Sequence, residues 1–380
     1  MSLKSKRDML ANQEKEAILN PKKLEQKKKK KRTKMLLATL VGIVLAVSIV
    51  FVSFEAVRAI GKSSLKKVEA TTTRPVLEQV KTEPIPEEKQ EEWKEGWISH
   101  GGKVYEYNED IMTFLIMGID KKDEVVEEVE EGTDGGQADA LFLVVMNPHD
   151  ETAQVIGINR NTMTDIDIYN ETGAYVNTVE AQIAVQHGFG NGVEKSCEYQ
   201  KTAVSRLFYN LPIHGYAAIN MSAISTINDA VGGVEVTVLE DLTNKDKTLV
   251  KGENVHLMGE SAYWYIRERD TSVFGSADMR LNRQKQYLNA FIAKAKSVAK
   301  QDISVVMSLY QAIVPMMTTD ITMNEVAYLA PILLDYTFDS ENFLMLKGET
   351  VMGEQFEEFY VDEDALYEMI LEVFYEEVER

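Results

Sequence analysis

The sequence predicts an α/β protein of the mixed α+β kind. A central, mostly antiparallel or mixed sheet is covered by helices and preceded by a single transmembrane helix. Three observations carry this. Apolar runs of strand length, bounded by turn residues, occur at Met112 to Ile119, Leu141 to Met146 and Val155 to Asn159. Apolar positions then recur at helical spacing through much of the second half. Finally, Met35 to Phe54 runs 20 residues without a charge.

At ~1.5 Å per residue that last run spans the ~30 Å hydrocarbon core of a bilayer. Residues 1–34 hold 13 Lys and Arg against 4 Asp and Glu, a net of +9. Taken from the chain totals of 41 and 61, this leaves 28 against 57 in the remainder, a net of -29. Six consecutive cations, Lys27 to Arg32, precede the apolar run and Glu55 follows it. The positive-inside rule therefore places residues 1–34 in the cytoplasm as a basic leader, 35–57 in the membrane and the rest outside the cell. A cleaved signal peptide with Val57-Arg58-Ala59 as its site is the competing reading. The apolar run exceeds the usual ~7–15 residue signal core, so an uncleaved anchor is expected. Membrane lipid is thus an expected partner, and the basic leader is explained by anionic lipid. The acidic remainder argues against nucleic acid. The single Cys197 rules out an intramolecular disulfide and reads as a structural thiol.

Residues 58–95 hold Thr71-Thr72-Thr73, Pro75, Pro84 and Pro86 without an apolar period, which predicts an extended stalk. The exported domain should cover 96–380, with a core at 110–300 and a helical extension at 301–380. Short strands are expected between Trp93 and Tyr107, around Gly101-Gly102. Asn147-Pro148-His149-Asp150 makes the second and third long strands antiparallel neighbours. Helices are expected at Val179 to His187, Lys195 to Tyr209, Met221 to Val231, Met258 to Arg267 and Asp278 to Val298. Val234 to Leu239 alternates as a strand. Further helices follow at Ser304 to Pro315 and Asn324 to Leu334, the latter with a Thr322/Glu325 capping box. Asn342 to Leu346 reads as a strand, and Asp362 caps a last helix through Glu376. The acidic loop Asp123 to Glu131 lacks the ligand spacing of a calcium loop and reads as a solvated insertion.

The chemistry concentrates at Tyr265 to Gln284, where Arg267, Arg269, Arg280 and Arg283 lie close together in a chain of formal charge -20. Guanidinium forks match phosphate oxygens, so the stretch reads as a phosphate or pyrophosphate site. The alternative is a salt-bridged surface with Glu268, Asp270 and Asp278 as partners. Arg280 and Arg283 share a helix face. Arg267 and Arg269 can serve one site only if their helix ends near Arg267. Asp120 ends the first long strand, Asp139 opens the second and Arg160 follows the third. Antiparallel pairing brings Asp139 beside Arg160, and Asp120 joins if its strand ends at the same edge. Two carboxylates facing arginines suit a divalent cation bridging to phosphate.

The order continues through Asn159-Arg160-Asn161-Thr162, Gly188-Phe189-Gly190, Ile219-Asn220 and Asp229 to Val234. It closes with Gly259-Glu260-Ser261-Ala262, Tyr265 to Arg269 and Arg280 to Gln284. In this ordered set residues 110–300 resemble the LytR-CpsA-Psr family of membrane-anchored glycopolymer transferases. The resemblance implies a pocket for a polyprenyl chain and magnesium-assisted (or manganese-assisted) phosphotransfer. A glycopolymer on a polyprenyl pyrophosphate carrier would pass to a peptidoglycan sugar hydroxyl. Asp120 and Asp139 match the metal- and pyrophosphate-associated carboxylates. Arg160, Arg267, Arg269 and Arg283 match the phosphate-binding arginines, with Arg280 and Gln284 beside them. Asp139 is the expected proton acceptor, and Asp120, Asp139 and Arg160 are the expected catalytic set.

Three departures stand out. Gln137-Ala138-Asp139-Ala140 replaces the usual Arg-Ser/Thr-Asp-Thr, and Asn159-Arg160-Asn161-Thr162 replaces Pro-Arg-Asp-Thr. Gln182-Ile183-Ala184 replaces Lys-Ile-Asn. One arginine is lost and one carboxylate becomes an amide. Two other readings use the same residues: a module that binds polyprenyl-linked sugars without turnover, and a polyprenyl pyrophosphate hydrolase.

Overall fold

The computed structural model describes residues 55–65, 74–77, 83–86, 89–121, 125, 135–170, 172–338 and 340–378. The expected basic leader, the apolar run 35–54 and most of the acidic loop lie outside these residues. Among the described residues no helix is long and apolar enough to cross a membrane. The chain divides into compact units at 1–59 and 60–380, and the central sheet, its covering helices and the candidate site all lie in the second.

Six strands form the central sheet: β1 (Met112–Ile119), β2 (Ala138–Asn147), β3 (Thr152–Ile158), β4 (Gly215–Asn220), β5 (Met317–Thr319) and β6 (Phe343–Met345). Their order is β5-β4-β1-β2-β3-β6. β1 runs antiparallel to β2, and β2 runs antiparallel to β3 as the turn at Asn147 to Asp150 required. β5 is antiparallel to β4, whereas β4 pairs parallel with β1 and β6 parallel with β3. The sheet is therefore mixed.

Continuous apolar strands demand cover on both faces. On one face Leu141, Leu143 and Val145 pack with Leu115, Met117, Ile156 and two helices, α1 (Glu194–Leu207) and, late in the chain, Glu363–Phe374. Phe142 and Val155 belong to the opposite face and meet Leu281 and Phe343. Leu281 lies on the long helix Ser276–Gln301. Gly157 permits that approach: a Cβ there would sit 3.2 Å from the Phe343 ring and 3.4 Å from Leu281. Each fully buried aliphatic side chain contributes ~1.5–3 kcal/mol.

Between these lie α2 (Ala223–Ala230) and α3 (Glu260–Arg267), then α4 (Ser276–Gln301), α5 (Ser304–Ile313), α6 (Met323–Asp335) and α7 (Glu363–Phe374). The Thr322 capping box and the Asp362 cap both form. Short strands Ile98–His100 and Lys103–Tyr107 pair around Gly101-Gly102.

Four expectations change. Val179 to His187 is not an α-helix. Tyr175–Gln182 pairs antiparallel with Met163–Tyr169, and a 3-10 helix, Ile183–Phe189, follows. Its residues alternate as a strand does, and both faces stay largely exposed, so no apolar stripe marked it. The strand at Val234 has a partner, Asn254–Leu257, that the sequence did not show. Residues 301–380 are more than a helical extension: besides α5, α6 and α7 and the expected strand at β6, they supply β5 and the hairpin Gly348–Met352/Glu357–Val361. Lastly, described parts of 58–95 are docked. The Val76 amide donates to the Tyr209 carbonyl at 2.8 Å, and Leu77 is buried in the main core.

Candidate functional site

Sheet register assembles the site. Ile119 pairs with Ala138, and Leu141 pairs with Ile158. Asp120 and Arg160 lie just beyond those pairs, and Asp139 is the residue that the β1–β2 register skips between Ala138 and Ala140, so the three lie at one sheet edge. The Asp120 amide donates to the Gln137 carbonyl at 3.1 Å, which fixes the first strand end against the second.

Two helix ends bring the remaining arginines. α3 stops at Arg267 because Glu268 leaves helical geometry at φ -58°, ψ 137°. That break lets Arg267 and Arg269 both turn inward. Gly275, at φ 75°, takes the left-handed turn into α4, a conformation that costs glycine little. The first turns of α4 then carry Arg280 over the sheet edge.

Asp139 lies between two guanidiniums. Arg160 Nε is 3.1 Å from its Oδ1, and Arg280 Nη1 donates to its Oδ2 at 3.0 Å. Arg280 Nη2 also donates to the Asp139 carbonyl at 3.0 Å. Although Arg160 Nε is within ion-pair distance, it has no aligned acceptor and stays a buried donor without a hydrogen bond. Arg160 Nη2 donates to Gln137 Oε1. The amide found where the family pattern has an arginine thus positions Arg160. Nearer solvent, Arg267 Nη2 donates to Asp120 Oδ1 at 3.0 Å, with the guanidinium 5.8 Å from the Tyr263 ring centroid.

Arg269 finds its carboxylate elsewhere. Its Nη2 donates to Glu357 Oε2 at 3.0 Å and its Nε to Ser276 Oγ at 2.9 Å. Glu357 belongs to the late hairpin and is buried. The Asn161 amide nitrogen also donates to Glu357 Oε2, at 3.4 Å. A carboxylate at position 161, as the family pattern has, would face Glu357. The amide at 161 and the acid at 357 therefore belong together: the charge lost from one strand end is restored from the hairpin. Sequence reading missed Glu357, and only the spacing of a weakly alternating hairpin could have flagged it.

Arg283 and Gln284 sit under the site. Arg283 is 1% exposed, donating to Glu240 Oε1 at 2.9 Å, to the Tyr265 carbonyl at 2.6 Å and to the Glu268 carbonyl. Gln284 donates to the Ile266 carbonyl at 3.3 Å. Both fasten the segment that presents Arg267 and Arg269. Of the alternative local partners, Asp278 accepts from Asn159 at 2.5 Å and Thr350 at 2.7 Å, so it ties strand, helix and hairpin.

The electrostatics follow from burial. Burial lowers the pKa of Arg160, and Arg269 pushes the same way against Asp139 and Asp120. Arg280 is lowered likewise, by burial first and then by Arg160 and Arg269 against Asp139. Burial would also lower Arg267, but its hydrogen bond to Asp120, with Tyr263 and Asp139 nearby, raises it instead. Cations crowded into low dielectric are the state an anion relieves. Cys197 is buried with its Sγ 3.8 Å from His187 Nε2, and burial pushes the thiol up and the imidazole down to about 4. The pair is a neutral core contact.

Among the described residues no group of three or more His, Cys, Asp or Glu could hold a metal alone. Magnesium at phosphates needs only one or two carboxylates, with water and phosphate oxygens completing the shell. Asp120 meets that demand, since described residues engage only its Oδ1. Both oxygens of Asp139 already face guanidiniums.

The LytR_cpsA_psr family profile matches residues 70–373. The chain belongs to the LytR-CpsA-Psr family. Over 186 residues it is 30% identical to the polyisoprenyl-teichoic acid–peptidoglycan teichoic acid transferase TagU of Bacillus cereus (strain AH820), covering 49% of this chain and 53% of that relative. TagU of Bacillus licheniformis is 26% identical over 192 residues, covering 50% and 55%. The chain thus matches about half the length of these curated relatives. Among solved structures, TagV of B. subtilis superposes with a TM-score of 0.53 at 22% identity, covering 69% of this chain and 96% of that one. TagT bound to LI-WTA gives 0.52 at 21%, covering 70% and 89%. These likenesses show the mixed α/β fold of this LytR-CpsA-Psr chain.

Proposed function

We propose that this LytR-CpsA-Psr protein transfers a glycopolymer from a polyprenyl pyrophosphate carrier to a peptidoglycan sugar hydroxyl, in a magnesium- or manganese-assisted phosphotransfer. The observation that carries the reading is the Asp139 centre, with Arg160 and Arg280 on its two oxygens and a buried Arg160 Nε lacking an aligned acceptor. The transferase names of the curated relatives support it. So does the cationic stretch Arg267 to Arg283 beside two strand-end carboxylates.

Phosphoryl transfer asks a protein for charge neutralisation and alignment more than for a covalent group. Arg160, Arg267 and Arg269 bind the pyrophosphate oxygens, while Arg280 keeps Asp139 in register. An incoming phosphate oxygen competes with Asp139 for Arg160. The carboxylate oxygen so released accepts the proton of the attacking hydroxyl. Asp120 would hold magnesium, which when bound would neutralise charge on the phosphates. Arg283 and Gln284 keep the arginine segment rigid. The chain works from the outer face of the membrane, anchored through residues 35–57.

The test is transfer by the full chain in detergent, using a polyprenyl-pyrophosphate-linked glycan and peptidoglycan with magnesium. A phosphodiester-linked product with released polyprenyl phosphate supports the reading. Tight carrier binding without product under any metal favours the binding module, and glycan phosphate formed without acceptor favours hydrolysis.

A further inference from the structure

A cleft of about 400 Å³ opens between the segment 271–274 and the turn of the Gly348–Met352/Glu357–Val361 hairpin. Arg160 and Arg269 line it. Phe274, Met352 and Phe356 line it too, yet are 57%, 63% and 67% exposed. Three large apolar side chains left in water around one cleft mark a binding surface. The amides of Asn161, Gln182 and Gln355 share the lining; the first two already donate to Glu357, at 3.4 and 2.7 Å, which leaves their oxygens and the Gln355 amide for a ligand. Its carboxylate, Glu357, is already taken: Oε2 receives Arg269 at 3.0 Å and Oε1 the Gly275 amide at 2.8 Å. These bonds tie the Phe274 loop to the hairpin, and the Gly353 amide, donating to the Phe356 carbonyl at 2.9 Å, closes the turn. The cleft is held open by structure that no ligand has to organise.

Flat apolar faces beside amide donors and acceptors, with charge only at the arginine end, match a sugar ring. Its C–H face packs on an aromatic ring while its hydroxyls take the amides. We propose that this cleft is a subsite for an uncharged sugar residue adjoining the pyrophosphate, with Phe274 and Phe356 as its stacking faces. The proposal rests on the transferase reading and deepens it. A lipid surface is the rival occupant of an apolar rim. Exposed Glu354, on the turn between Met352 and Phe356, opposes insertion, since interfacial apolar groups are ordinarily flanked by cations.

The test uses the full chain in detergent with two probes, inorganic pyrophosphate and a β-1,4-linked N-acetylglucosamine tetramer, titrated calorimetrically. Phe274→Ala and Phe356→Ala should each weaken the tetramer about tenfold, the loss expected for truncating one aromatic anchor, and leave pyrophosphate affinity within about twofold. In transfer kinetics, a raised KM for peptidoglycan assigns the sugar to the acceptor, and a raised KM for the lipid-linked glycan assigns it to the donor. Unchanged tetramer affinity in both variants overturns the subsite, as does absence of tetramer binding by the unmodified chain. Loss of binding to phosphatidylcholine vesicles in place of tetramer binding overturns it in favour of the lipid surface. Tetramer binding without pyrophosphate binding sinks the transferase reading and leaves the subsite standing.

Discussion

Asn161 and Glu357 show how one residue's identity is set by another far along the chain. The Asn161 amide donates to the carboxylate that holds Arg269. Asn161→Asp would set two buried carboxylates against each other. It should destabilise the protein by about 1–3 kcal/mol in urea denaturation, and Glu357→Gln in the same chain should recover part of that loss. An unchanged midpoint would show that the two side chains are not coupled. Arg267→Ala removes a partly exposed guanidinium whose partner is Asp120. Turnover should fall by about 10²-fold or more, with the urea midpoint shifting little, as for loss of one charge-stabilising donor. The strand-end trio was legible because a charged residue follows the first and third apolar runs and precedes the second. Glu357 was not legible: it lies 88 positions from Arg269, and nothing local distinguishes it from its acidic neighbours.

At the scale of elements, the junction between α3 and α4 decides whether the arginines converge. Arg283 fastens it through Glu240 and two carbonyls while almost wholly buried. Arg283→Met should cost about 3–5 kcal/mol of stability, because Glu240 and those carbonyls lose a buried partner. A loss under ~1 kcal/mol would move Arg283 from a fastening role to direct phosphate contact. Both helices were legible from their apolar period, and the break after Arg267 from Asp270-Thr271-Ser272 and Gly275. The end of the strand Tyr175–Gln182 was misread as helix because a largely exposed strand needs no apolar face. Far from the arginines, in the β2–β3 turn, His149 joins three segments: Nε2 lies 2.9 Å from Asp110 and Nδ1 2.7 Å from Glu376. Hydrogen bonds to Asp110 and then Glu376 raise its pKa above the usual 6.5. A raised folded value means that the stabilisation is complete below pH ~6.5 and is lost as pH rises through the folded value. Thermal unfolding across pH 5–8 should show this slope, and His149→Gln should flatten it. An equal slope in the variant would assign the dependence to other groups.

For the whole molecule, the mixed sheet sets the site's position and the late segments complete it. β4 and β5 extend the sheet beyond the strands that the sequence made evident, whereas β6 falls within the expected strand Asn342 to Leu346. β5 is only three residues long, too short to leave a periodic signal. The hairpin after β6 carries Glu357 and the cleft rim, so residues beyond 300 belong to the site itself. Family membership, the Asp139 centre and the α3–α4 junction support the proposal that the site handles a pyrophosphate, and the central claim is that it also turns it over. The most direct measurement is mass-spectrometric detection of glycopolymer joined to peptidoglycan by a phosphodiester, formed by the full chain with magnesium. The expected result is that product with stoichiometric polyprenyl phosphate, reduced by orders of magnitude in Asp139→Ala. Saturable carrier binding with no product in magnesium or manganese would contradict it.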